Sequence, residues 1–183
     1  MFIRSARLFL RPSWPEDWTD LFSAIADECI VRNLAMAPWP YTIEDAMTFA
    51  RREQERLLPH FLITLPGASG AQTIGCVGLS RESDEVELGY WIGRNHWNQG
   101  YASEAARAVL RLADALGHRR IRAHHFADNP ASGRVLEKAG FRRTGKQSQR
   151  FSKGRGQAAL AIGFVRNADG NCNQDDDKLM RAA

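Results

Sequence analysis

The chain has 183 residues and a formal net charge of +4, with 44% apolar, 9% aromatic and 25% charged residues. That length holds one domain with a sizeable core and leaves two cramped, and the composition excludes a wholly disordered chain. The longest apolar run, Ala158 to Val165, is far below the roughly 20 residues of a membrane span, Arg4, Arg7 and Arg11 interrupt any signal-peptide core, and three scattered cysteines without a CxxC pair argue against a disulfide framework or thiolate zinc.

A soluble, cytoplasmic domain is therefore expected. From the N-terminus, Ala6-Arg7-Leu8-Phe9-Leu10-Arg11 alternates at period two and stops at Pro12, as a strand does. Between Glu16 and Asp27, Trp18, Leu21, Phe22 and Ile25 recur at helical spacing. Ala37-Pro38-Trp39-Pro40-Tyr41 cannot be regular helix, because its prolines remove donors and restrict the residues before them. Thr42 with Glu44 and Asp45 marks a helix start, and that helix is predicted to reach about Leu57.

Residues 60–65 and 73–80 read as strands joined by the hairpin connection Pro66-Gly67-Ala68-Ser69-Gly70, with a third strand from Val86 to Gly93. The polar stretch Arg94 to Gly100 leads into the clearest helix, Tyr101 to Leu116, closed by Gly117 where a left-handed cap belongs. Arg120 to Phe126 is a strand, and Asp128-Asn129-Pro130 begins a helix that stops at Gly140. Two last strands lie near 141–151 and 157–165. The segment 167–183 is polar and acidic and reads as a mobile tail, which leaves residues 1–166 as a single domain.

Two local features bear on function. The helix beginning at Tyr101 follows a short loop ending in Gly100-Tyr101-Ala102, and a helix N-terminus offers free N–H groups and partial positive charge to a phosphate. Neither GxGxxG, nor a P-loop GKS/T, nor GxSxG is present there. His124 and His125 are adjacent in a strand and point to opposite faces, a poor arrangement for shared metal ligation, so no metal site is expected. Charge is uneven: residues 1–93 carry a net −5 and residues 94–183 a net +9. The basic half has no compact run and no zinc-finger or RNP pattern, which disfavours nucleic acid as a partner.

In order, the motifs resemble the GCN5-related N-acetyltransferases (GNAT superfamily), most closely the RimJ/RimL-type branch. Glu87-Leu88-Gly89-Tyr90-Trp91-Ile92 and Trp97-Asn98-Gln99-Gly100-Tyr101-Ala102-Ser103-Glu104-Ala105 are similar to that branch's acetyl-CoA segment. Asn129-x-x-Ser132 through Lys138-Ala139-Gly140-Phe141 resembles its second cofactor motif. Arg7-Leu8-x-Leu10-Arg11 and Pro38-Trp39-Pro40-Tyr41-Thr42 resemble its opening strand and substrate-side segment. Trp97 stands where the general superfamily pattern has Gln or Arg, as is usual in this branch.

The resemblance implies an α/β (α+β) fold: a mixed, mostly antiparallel sheet of about seven strands, the fourth and fifth splayed, flanked by about four helices. It implies acetyl-CoA as cosubstrate, with pantetheine against the backbone of Trp91 and Ile92, pyrophosphate on the Asn98, Gln99, Gly100, Tyr101 and Ala102 loop, and Asn129, Ser132 and Lys138 also on the cofactor. Glu87 is the implied general base, with Glu85 on the same strand face as its competitor, and Ser132 is the candidate for bonding the thiol sulfur. Trp39, Tyr41 and Glu85 are placed near the acceptor amine, a small-molecule amine or a protein N-terminus. Glu16, Asp17, Asp20, Asp27, Glu28, Glu44 and Asp45 suggest an acidic rim suited to a cationic acceptor. The alternative is a non-catalytic acyl-CoA-binding sensor on the same fold. A homodimer is left open.

Overall fold

The computed structural model describes residues 1–68 and 70–168. The expected tail falls almost wholly outside them. Eight strands form one sheet in the order β1-β2-β3-β4-β5-β6-β8-β7. They are β1 (Ile3–Arg4), β2 (Phe9–Arg11), β3 (His60–Gly67), β4 (Gly70–Glu82), β5 (Glu85–Ile92), β6 (Arg120–Phe126), β7 (Arg142–Ser152) and β8 (Gln157–Asn167). Five α-helices accompany them: α1 (Trp18–Ile25), α2 (Glu28–Val31), α3 (Ile43–Ala50), α4 (Tyr101–Ala115) and α5 (Pro130–Lys138). The strand beyond the expected set is β1, which pairs Ile3 with Leu10 and Arg4 with Phe9. Two residues are too few to show a period. The expected fourth and fifth strands are thus β5 and β6.

Every neighbouring pair of strands is antiparallel except β5 and β6. Apolar side chains cover both faces of the sheet. On one face Ala105, Val109 and Leu110 of α4 and Leu136 of α5 pack with Leu79, Leu88 and Ile121. On the other, Leu21, Ile25, Ala46 and Ala50 from α1 and α3 pack with Leu62, Cys76 and Trp91. A bulge in β4 sets which residues face which side. Pairing with β3 steps from Ile63↔Gly75 to Thr64↔Thr73, leaving Ile74 extra. Past the bulge Val77 and Leu79 join Ile74 in the α4-side core, while Cys76 packs on the α1–α3 side.

Helix α3 stops at Ala50, well short of the expected Leu57. Arg51 to Arg56 contains no apolar residue, so a continued helix would have had no face to bury. Its start is as the sequence indicates: Thr42 and Asp45 cap it reciprocally. Edge strand β7 exposes Arg142, Arg143 and Lys146, which discourages pairing with another chain. Among the described residues, no helix is long and apolar enough to cross a membrane.

Candidate active site

β5 and β6 pair only through Val86↔Ile121 and Glu87↔Arg122. Beyond those residues the two parallel strands part, and helices α4 and α5 follow from their C-terminal ends. A cleft of about 1240 Å³ runs through the gap. Ligands bind at such a place in open sheets because backbone groups and helix N-termini are left without partners there.

The gap side of β5 follows from its ladder with β4. Gly93 N donates to Ile74 O at 2.8 Å, so alternate residues from Gly93 back to Glu87 turn their backbone groups to β4. The groups of Ile92, Tyr90 and Leu88 therefore face β6. Of the expected pair, Ile92 is turned to the gap and Trp91 is not. The indole Nε1 of Trp97 donates to Ile92 O at 2.6 Å, which leaves the Ile92 N–H for a ligand.

Helix α4 opens without a side-chain cap. Gly100 has φ 81° and Asn98 φ 59°, so the loop turns through two left-handed residues immediately before the helix. Its first-turn amides point into the cleft mouth, beside Asn98, Gly100, Tyr101 and Ala102, all of which line it. Gln99 does not line the cleft: its amide donates to Asn95 O at 3.2 Å, and its own carbonyl accepts from Arg7 at 3.0 Å. Helix α5 is capped instead, Ser132 N donating to Asn129 Oδ1 at 3.3 Å. These features fit an anionic, amide-bearing chain: uncapped amides for the charge and an open ladder edge for the amides.

Ser132 Oγ lies 2.8 Å from the Tyr90 hydroxyl, which also donates to Ser132 O at 3.0 Å. Burial holds the Tyr90 phenol well above its ordinary pKa, so it keeps its proton. Lys138 lines the outer cleft on α5 and is exposed.

Glu87 sits on the opposite face of β5. Its Oε1 is 2.8 Å from His124 Nδ1, outside hydrogen-bond alignment, and its Oε2 is 3.5 Å from Arg150. The carboxyls of Glu82 and Glu87 are neighbours, with oxygens within 4.8 Å of each other. Arg150 also grips Glu82 at 2.6 and 2.5 Å. Burial pushes the Glu87 carboxyl up; His124 and Arg150 pull it down, and Glu82 pushes it up again. The neighbouring Glu87 carboxyl and the Arg150 guanidinium hold Glu82 down to about 2. The cluster thus shifts Glu87 upward and Glu82 downward, so Glu87 is the carboxylate better suited to accept a proton. Glu82, Glu87 and His124 offer three ligand atoms within 4.8 Å of one another, but Arg150 already occupies both carboxylates.

The pattern that defines the Acetyltransferase (GNAT) domain matches residues 7–142. The chain belongs to the GNAT acetyltransferase family. It is 32% identical over 149 residues to YoaA of Bacillus subtilis (strain 168), an uncharacterised N-acetyltransferase, covering 78% of this chain and 84% of YoaA. A GNAT-family acetyltransferase from Bacillus anthracis superposes with a TM-score of 0.78 at 25% identity, over 91% of this chain and 98% of that one. RimL, a ribosomal L7/L12 alpha-N-protein acetyltransferase solved with coenzyme A, superposes with a TM-score of 0.71 at 19% identity, over 91% and 98%. This GNAT acetyltransferase is an acetyl-CoA-dependent acyltransferase.

Within the GNAT fold, the residues named from the sequence divide clearly. Glu87, Trp91, Ile92, Asn98, Gly100, Tyr101, Ala102, Asn129, Ser132, Lys138 and Tyr41 line one cleft. Trp39, 40% exposed, and Glu85 do not. Glu85 is drawn to Arg122 and to Arg120, 3.4 Å away, at the paired end of β5. Of the seven acids suggesting a cationic acceptor, only Asp45 lines the cleft; Asp17 pairs with Arg11 at 2.6 Å and Asp27 with Arg94 at 3.4 Å. Sequence reasoning missed Tyr90, Glu82, His124 and Arg150. Tyr90 stood in a quoted motif, and its period-two position opposite Glu87 was the available signal.

Proposed function

We propose that this GNAT acetyltransferase moves the acetyl group of acetyl-CoA directly to a primary amine, a protein N-terminal α-amine or a small-molecule amine, in a ternary complex. The observation that carries the proposal is the placement of two proton-handling sites on opposite faces of one open strand. Glu87, with its raised pKa, is on the α1–α3 face, and the Tyr90–Ser132 hydroxyl pair is on the α4–α5 face. The complexes of RimL with coenzyme A and of the immunity acetyltransferase MccE with acetyl-CoA support the cosubstrate.

The amine nitrogen attacks the thioester carbon, and Glu87 takes the amine proton. The C–S bond then breaks, and the thiolate meets the Tyr90–Ser132 pair, which donates a hydrogen bond to sulfur. Burial pushes the Cys76 thiol up to about 12, which leaves Cys76 a poor nucleophile and speaks against an acetyl-cysteine route through it. Glu87→Gln is expected to lower kcat by about 10²–10⁴ near neutral pH. CoA affinity by calorimetry should be retained, and turnover should partly recover at high pH, where the amine is already neutral. Turnover near wild type at neutral pH would remove Glu87 as the base.

A further inference from the structure

The acceptor end of the cleft carries more positive charge than the sequence suggested. Helix α3 and the residue after its cap turn Asp45, Thr48, Phe49 and Arg52 toward it, at the i, i+3, i+4, i+7 spacing of one helical face. From β4 come Ser80, Arg81 and Glu82. Most of these charges are already paired. Asp45 accepts from Thr42 N at 2.9 Å and from its hydroxyl at 2.8 Å. Glu82 and Glu87 are tied to Arg150. The side chains of Arg52 and Arg81 are exposed and make no hydrogen bond or ion pair among the described residues.

Glu53 and Glu55 share a pocket with the two guanidiniums, but among the described residues neither carboxylate comes within ion-pair distance of them. His60, whose ring lies against Gly78 on this face, is pushed down to about 4 by burial with Arg52 adding to the effect, so it is neutral. Two guanidiniums without ion pairs, in the same cleft as a base that must first meet an ammonium, form an unfavourable surface for a purely cationic acceptor and a favourable one for an anion.

We infer that the acceptor carries an anionic group beside its amine, held by Arg52 and Arg81 while Glu87 takes the amine proton. The inference rests on the transferase reading above and adds the substrate class to it. A free α-amino acid and a peptide whose second residue is acidic both present this chemistry, an amine and a carboxylate a few bonds apart. Guanidinium binds carboxylate through paired N–H donors, which gives direction as well as charge.

The test uses matched acceptors: methionine against methioninamide, and peptides beginning Ser-Asp, Ser-Asn and Ser-Lys. Acetylation is read as kcat/KM, and each acceptor is also titrated calorimetrically into the CoA-saturated protein. The expected result is a preference of about tenfold or more for the carboxylate member of at least one set, the contribution of one charge-assisted hydrogen bond. Which set shows it separates the free amino acid from the peptide. That preference should collapse in Arg52→Gln/Arg81→Gln, with circular dichroism confirming the fold; single substitutions replace the double if it does not fold. Equal values across both sets, or a preference that survives the substitutions, would overturn the inference. Preferential binding of the anion without any turnover would overturn the transferase reading and leave the anion site standing.

Discussion

Glu87 does not titrate alone, and its partners decide the pH at which the site can work. Burial raises its pKa and the Glu82 carboxyl raises it further, while His124 and Arg150 oppose them. A base acts in its deprotonated form, so kcat/KM should rise with pH along an acid limb whose midpoint belongs to the whole cluster. Glu82→Gln removes a negative charge that disfavours ionisation of Glu87, so the limb should move to lower pH. Arg150→Met removes a cation that favours ionisation, so the limb should move to higher pH. Profiles of kcat/KM against pH for the two variants test this directly. Shifts in the same direction would mean that the limb reports some other group.

Helix α5 carries Ser132 to the gap, and how it rests on β6 depends on one glycine. A Cβ at Gly133 would stand 2.7 Å from His125 Nε2. That ring cannot move aside readily, being 5% exposed and held by a 2.8 Å contact of Nδ1 with Phe126 O. Gly133→Ala should therefore lift α5 from the sheet and draw Ser132 off Tyr90. A cost of about 1–3 kcal/mol is expected, as for other overpacked contacts, together with a fall in kcat. A melting curve and a Michaelis profile check both, and an unchanged Tm would show that the helix tolerates the shift. The start and end of α4 and α5 were legible in the sequence because caps, glycines and helical periodicity are local signals. The bulge at Ile74 was not, since it is settled by what the strand packs against, and two-residue β1 is too short to show a period; the early stop of α3 was written in the polar run Arg51 to Arg56, which good helix formers disguise. The site divides the same way. Period-two alternation put Glu87 and Trp91 on one face, but the Glu82–Glu87–His124–Arg150 cluster forms across four strands, through pairings such as Ser80↔Glu87 and Glu87↔Arg122.

On the scale of the whole molecule, the first residues of the chain brace the loop at the mouth of the cleft, more than ninety positions away. The Arg7 guanidinium donates to Glu104 Oε2 at 2.8 Å and to Gln99 O at 3.0 Å, and it lies 4.5 Å from the centre of the Tyr101 ring. Its backbone N–H and the Ser5 hydroxyl each donate to Glu104 Oε1 at 2.8 Å. Burial pushes the Glu104 carboxyl up, but these bonds outweigh it and keep the group below its ordinary pKa. A first-turn carboxylate suits the helix dipole, yet it repels a phosphate at the same N-terminus. Arg7 therefore has two effects: it fixes the loop and it neutralises Glu104. Arg7→Ala should raise the KM for acetyl-CoA by about tenfold, the scale of losing one charge-assisted bond, with a smaller effect on kcat. If neutralisation is the larger effect, Arg7→Ala/Glu104→Gln should recover much of the loss, because the carboxylate that the first change leaves without its cation is then gone. If bracing is the larger effect, the double variant should be no better than Arg7→Ala, since neither side chain then holds the loop. A double-mutant cycle on KM for acetyl-CoA separates the two. Arg7→Ala leaves the Ser5 hydroxyl and the backbone N–H of residue 7 on Glu104, so a loss that the double variant recovers reports the charge of the guanidinium rather than the hydrogen bonds to that carboxylate.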